Sequence, residues 1–145
     1  MTHSLTFAMI KPDAVAAKYT GPIIDMIEQA GFDIRALKLT TLAINDASLF
    51  YRVHKDRPFY TSMCRSIARG PIVAMVLEKE NAVVDFRKLI GATDPAEAEV
   101  GTIRARFGKS IEANAIHGSD AHETATAEMG HFFPYLELTS FLLRK

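Results

Sequence analysis

Apolar and polar side chains trade places along residues 5–10, Leu-Thr-Phe-Ala-Met-Ile, until Lys11-Pro12-Asp13 breaks the run. Extended backbone sends successive side chains to opposite faces, so this stretch predicts a first strand with Lys11 at its exit. The period then changes. Over residues 21–31, Ile23, Ile24, Ile27 and Ala30 share one face at helical spacing, with Pro22 suited to a first turn and Gly31 to a stop. Residues 32–42 predict a second strand, and its apolar phase shifts between Ala36 and Leu37, as a bulge or bend would make it do. Two helical stretches follow as a hairpin, 45–55 with Asn45 as a cap, and 58–70 with Phe59, Met63 and Ile67 at i, i+4 and i+8.

Residues 71–78 are almost wholly apolar, the mark of a central strand buried on both faces. A helix over 80–91 closes at Gly91, and 92–103 mixes Pro, Gly and polar residues without a period, which predicts a functional loop. Residues 110–118 lead through a last short strand to Asp120. Its spacing to Glu123 fits a capping box, with Ala121, Ala125, Met129 and Phe132 on one face of the helix beyond. The tail after Pro134 is expected on the surface or against a partner subunit. Strands and helices thus alternate, which suits either a ferredoxin-like α+β sandwich with an antiparallel sheet or a small doubly wound sheet. Periodicity does not separate the two.

A chain of 145 residues is the size of one domain with one core, and residues 1–145 are read as such. Lys plus Arg and Asp plus Glu both number 17, so no global field draws the chain to nucleic acid or an acidic membrane. Any anionic ligand must be held by a local cluster. The one cysteine, Cys64, makes no intrachain disulfide and is expected to be a small buried hydrophobe. No basic segment precedes the first apolar run, and no run reaches the roughly 20 residues of a membrane span, so the chain reads as cytoplasmic.

Gly108-Lys109-Ser110 has the look of a phosphate loop's end, but that motif needs glycine where Ile103 stands, and Lys109 is expected to be solvated. The five histidines do not pair at helical ligand spacing, and there is no Cys-x-x-Cys, so a protein-ligated transition metal is not expected. His117 is different. A neutral imidazole carries one free lone pair, Gly118 beside it leaves space for a bulky group, and a helix opening at Asp120 points N–H groups where an anion would sit. The competing reading is a histidine satisfied inside the core, and the local stretch does not choose.

Four segments in order and spacing decide it: "IKPDAV" from Ile10, "HKDRPFY" from His54, "GATDPAEA" with "GTIRARF" from Gly91, and "NAIHGSD" from Asn114. Together they resemble the nucleoside diphosphate kinase family. The resemblance implies the ferredoxin-like fold, with a four-stranded antiparallel sheet and added helices. It also implies transfer of the terminal phosphoryl group of a nucleoside triphosphate, typically ATP, to a nucleoside diphosphate, by a ping-pong route through phospho-His117. It places Lys11, Arg87, Thr93 and Arg104 around the phosphates and Tyr51 near the transferred group. The base falls against Phe59, Met63 and Ile111, and the ribose by Asn114 and Lys11, while Ser119 and Glu128 set the ring of His117. Stacking and apolar edges read no base pattern, so nucleotides of every base are expected, and the resemblance implies both ribo and deoxy forms.

Mg²⁺ is expected to come with the nucleotide, with a water-mediated contact from Asp120. The family also implies a homo-oligomer, tetramer or hexamer, and requires neither nucleic acid nor membrane. Val100, Ala105-Arg106 and Ala121 depart from residues common among relatives, and these departures bear on loop shape rather than on the assigned chemistry.

Overall fold

A computed structural model describes residues 3–142. Four strands, β1 (His3–Ile10), β2 (Asp33–Thr40), β3 (Ile72–Glu80) and β4 (Ile116–Gly118), form one sheet in the order β2-β3-β1-β4. Every neighbouring pair is antiparallel. That order and direction select the ferredoxin-like sandwich over the doubly wound sheet. The first crossover, from β1 to β2, runs through α1 (Pro12–Ala16) and α2 (Thr20–Gln29). The second, from β3 to β4, begins with α5 (Ala82–Ile90) and α6 (Ile103–Phe107). The added elements are the hairpin α3 (Ile44–Phe50) and α4 (Tyr60–Ile67), and the C-terminal pair α7 (His122–Phe132) and α8 (Tyr135–Leu142).

These additions cover the sheet face that a plain sandwich leaves bare. One face of β1 and β3, with Phe7, Met9, Ala74 and Val76, packs on Phe50, Ile67, Met129 and Phe132; the other, with Ala8, Ile10, Met75 and Leu77, packs on Ile23, Ile27, Phe86 and Ile103. Full burial of each large apolar side chain stabilises by about 1.5–3 kcal/mol relative to exposure, so both faces of the central strands must be apolar. This is why residues 72–77 form an unbroken buried run.

The edge strand β2 alternates half-buried with exposed positions. Its irregularity lies between Ile34 and Ala36, two residues before the expected place, and Arg35 there reaches Glu78 at 2.7 Å. The apolar phase shift at Leu37 has another cause. Leu37 and Leu39 are 49% and 65% exposed, so the leucines mark a side of the strand that this chain does not cover.

Two short helices carry no readable period: α1, opened by Pro12, and α6, where the Thr102 hydroxyl accepts from the Ala105 N–H at 3.3 Å. The stretch read as a loop therefore ends in helix, and also holds a tight turn over Pro95–Glu97. The expected cap of α7 is displaced by one residue. Ala121 is the cap, its N–H donates to the Thr124 hydroxyl at 3.0 Å, and that hydroxyl donates to Asp120 at 2.7 Å. Ala125, Met129 and Phe132 are buried as expected, Cys64 is buried, Lys109 and His122 are exposed, and Leu138 ties the tail to the core. Val100 is fully exposed.

Candidate active site

Strand β4 is three residues long and alternates like any strand. Ile116 turns into the core shared with α5, so His117 must turn to the opposite face, where α3 and α7 lie. Gly118 faces back again. A Cβ there would stand 2.9 Å from Phe86 and 3.0 Å from Ile90, so the glycine makes room for α5 and not, as expected from sequence, for a group approaching His117. Just before the strand, Ala115 adopts φ +77°, a left-handed conformation that disfavours a side chain. Two long-range bonds hold it there: its N–H donates to Asp13 at 3.1 Å, and its carbonyl accepts from the Lys11 N–H at 2.8 Å.

His117 Nε2 lies 3.0 Å from Glu128 Oε1. An ionised carboxylate only accepts, so Nε2 carries the proton and Nδ1 keeps its lone pair. Ser119 donates to the same oxygen at 2.7 Å and accepts from the Phe7 N–H at 3.3 Å, which locks the carboxylate to the sheet. Edges of Phe50 and Tyr51 close on the imidazole at 5.4 and 6.1 Å between ring centroids. The ring is thus fixed in plane and in tautomer. Burial, and next the nearby Glu128, push the Tyr51 phenol's pKa well above its usual range, so it stays an O–H donor.

A cleft of about 560 Å³ opens over this histidine, lined by Lys11, Tyr51, Phe59, Met63, Arg87, Thr93, Arg104, Ile111, Asn114, Asp120 and Glu128. Of the site residues expected from the sequence, Ser119 alone stands behind the wall. The cations are held by neutral oxygens. Lys11 Nζ donates to the Glu112 carbonyl at 2.9 Å and to Asn114 Oδ1 at 3.0 Å; Arg104 donates to the Gly91 and Ile116 carbonyls, both at 2.9 Å. Arg87 reaches the Gly118 carbonyl at 3.4 Å. Asn114 in turn donates to the Thr93 carbonyl at 3.0 Å, linking Lys11 to the 92–103 segment.

Among the described residues none of these three cations makes an ion pair. Their charge is felt locally. Burial first, and then Arg104, bring the Lys11 pKa down to about 8, against the opposing pull of Asp13 and Glu112. Burial first, and then Arg87, bring Arg104 down to about 10. An anion in the cleft would relieve both. Asp120 borders the same space, its carboxyl pKa lowered by the Thr124 hydrogen bond before all else.

Phe59, Met63 and Ile67 grade from exposed through half-buried to buried, so only Ile67 is plain core and Phe59, 46% exposed, projects into the cleft mouth. Sequence reasoning missed several wall residues, among them Phe50, His54, Glu112 and Thr124. His54 packs between Tyr51 and Phe59 at 6.3 and 6.0 Å. Its position inside "HKDRPFY" was the available signal; for Glu112 it was adjacency to Ile111.

A ferredoxin-like domain with a histidine beneath cations that make no ion pair among the described residues has the site of an enzyme of the phosphotransferase class. The family model described as nucleoside diphosphate kinase matches residues 4–138. A nucleoside diphosphate kinase from Geobacter sp. (strain M21) is 53% identical over 133 residues, 92% of this chain and 97% of that protein. Nucleoside diphosphate kinase 1 of Protochlamydia amoebophila is 50% identical over 139 residues, 96% and 99% of the two chains. The crystal structure of the Aquifex aeolicus nucleoside diphosphate kinase superimposes with a TM-score of 0.92 at 40% identity, covering 94% of this chain and 99% of that one. The chain belongs to the nucleoside diphosphate kinase family.

Proposed function

We propose that the domain, residues 1–145, moves the terminal phosphoryl group of a nucleoside triphosphate, typically ATP, to a nucleoside diphosphate through phospho-His117. The observation that carries this reading is the pairing of a tautomer-locked imidazole with Lys11, Arg87 and Arg104, none of them neutralised by an ion pair among the described residues. The Nδ1 lone pair attacks the terminal phosphorus in line. The bond to the bridging oxygen breaks, and the donor leaves as a diphosphate with that oxygen. An acceptor diphosphate then attacks the phosphorus of phosphohistidine by the reverse path, which restores the imidazole.

Phosphoryl transfer needs alignment and charge compensation. Arg87 and Arg104 offer planar forks and Lys11 a point charge, Tyr51 donates a hydrogen bond near the transferred group, and Thr93 borders the phosphates. Ser119 and Glu128 hold the ring in the productive tautomer. Phe59, Met63 and Ile111 sandwich the base without reading its edge, and Asn114 with Lys11 meets the ribose.

The residues also fit a nucleotide-borne Mg²⁺. Among the described residues no cluster of three His, Cys, Asp or Glu side chains is present to hold an ion alone, whereas Asp120 offers a cleft-side carboxylate apart from Glu128, which is engaged by His117 and Ser119, and Glu112, which is engaged by Ser62. Bound there, the ion would neutralise phosphate charge, and Asp120 would meet its water shell. The exposed leucines of the β2 edge support a homo-oligomer, tetramer or hexamer. Among the described residues no helix is long and apolar enough to cross a membrane. The reading places the enzyme in the cytoplasm.

The test is phosphorylation by γ-labelled ATP followed by a chase with an unlabelled diphosphate of another base. Acid-labile, alkali-stable label that leaves in the chase and never forms in His117→Ala is the expected outcome. Label that resists free diphosphates would favour a signalling phosphocarrier, which has no use for the Phe59 and Asn114 walls.

A further inference from the structure

The two walls of the cleft mouth belong to different parts of the fold. Helix α4 brings Met63 and, at its cap, Phe59; opposite lies the tight turn through residues 109–113 with Ile111. Each wall is braced within itself. The Tyr60 hydroxyl donates to the Ser48 carbonyl at 2.9 Å, tying α4 to α3, and the turn closes through the Lys109 N–H to the Ala113 carbonyl at 2.8 Å and the Ala113 N–H to the Ser110 hydroxyl at 3.1 Å. Among the described residues one hydrogen bond spans from α4 to the turn: Ser62 Oγ donates to Glu112 Oε1 at 2.5 Å. A hydroxyl donating to a carboxylate is a short, charge-assisted bond. The main chain of Glu112 meanwhile accepts from Lys11 Nζ. A single residue therefore grips the base wall with its side chain and the phosphate lysine with its carbonyl.

We propose that the Ser62–Glu112 bond is a latch that sets the width of the nucleoside end of the cleft, with Glu112 as a positioning residue for the Phe59–Ile111 clamp. This rests on the nucleotide reading above. The latch acts on the base: removing the Glu112 side chain leaves its carbonyl on Lys11, and Ser62→Ala breaks the bond while keeping the Glu112 charge that holds the Lys11 pKa up. Both side chains are exposed, so their loss does not open the core.

Binding of ADP and of inorganic tripolyphosphate to the full chain separates the two ends of the site. Glu112→Ala and Ser62→Ala are each expected to weaken ADP by about three- to tenfold, the effect of one lost hydrogen bond, with tripolyphosphate unchanged in Ser62→Ala. The KM for nucleoside diphosphates rises in step while kcat holds. The double variant is no worse than either single one, and Glu112→Gln, whose amide oxygen accepts the same bond, recovers most of the loss. Unchanged ADP affinity, a parallel fall in tripolyphosphate affinity in Ser62→Ala, or additive single effects would overturn the latch. Failure of the nucleotide reading looks different: the unaltered protein would then bind ADP no better than tripolyphosphate.

Discussion

Lys11 is buried with neutral partners, and this makes its charge conditional on pH. Its folded pKa of about 8 lies below the ordinary 10.5, so in the free enzyme the ammonium loses its proton as pH rises through 8. kcat/KM reports free-enzyme ionisations and is expected to fall on an alkaline limb centred near there. kcat should hold to higher pH, because bound phosphate favours the ammonium, and Lys11→Met should lack the limb at a much reduced rate. Coincident limbs in both profiles would remove Lys11 from the phosphates. The sign for stability is opposite: between the folded and ordinary pKa the unfolded chain binds more protons, so this group's contribution to stability rises with pH across that window. At this scale residue types were legible in the sequence and their environments were not. Lys11, Arg104 and His117 were legible through motif spacing, whereas three of the four neutral oxygens that hold the two cations are backbone carbonyls, at Gly91, Glu112 and Ile116, and no side-chain pattern encodes those.

Helix and strand boundaries followed period where an element had one face to bury, and failed where it did not. α1 and α6 are five residues each, too short for a 3.6-residue period to emerge, and α6 matters because it carries Arg104. Strand β4 was legible only as a short strand, yet its packing on α5 aims the histidine. Gly118→Ala should therefore act as an overpacking change, costing about 1–3 kcal/mol of stability and tilting β4. Chemical denaturation and turnover should fall together, and Phe86→Leu in the same chain should restore part of both. Normal turnover in Gly118→Ala would show that β4 tolerates the shift without moving His117.

At the scale of the whole molecule, the β2 edge of the sheet carries exposed leucines. Leu37 and Leu39 on the β2 edge read from sequence as a bend, because a single chain gives no sign of surface reserved for another copy. Leu39→Lys should block edge pairing and lower the mass measured by sedimentation, while His117 still takes label, since every group assigned to the transfer lies on one chain. An unchanged mass would place the oligomer contact elsewhere. The assembly of the site also sets a timetable for folding. Lys11 is bonded to partners 101 and 103 residues further along, and β1, made first, receives its second neighbour only when β4 arrives. A ribosome-bound chain thus carries an open β1 edge through most of its synthesis, and the cleft over His117 closes as nearly the last event. Competence to take phosphate is consequently a late marker of correct folding, acquired only after the rest of the sheet is in register.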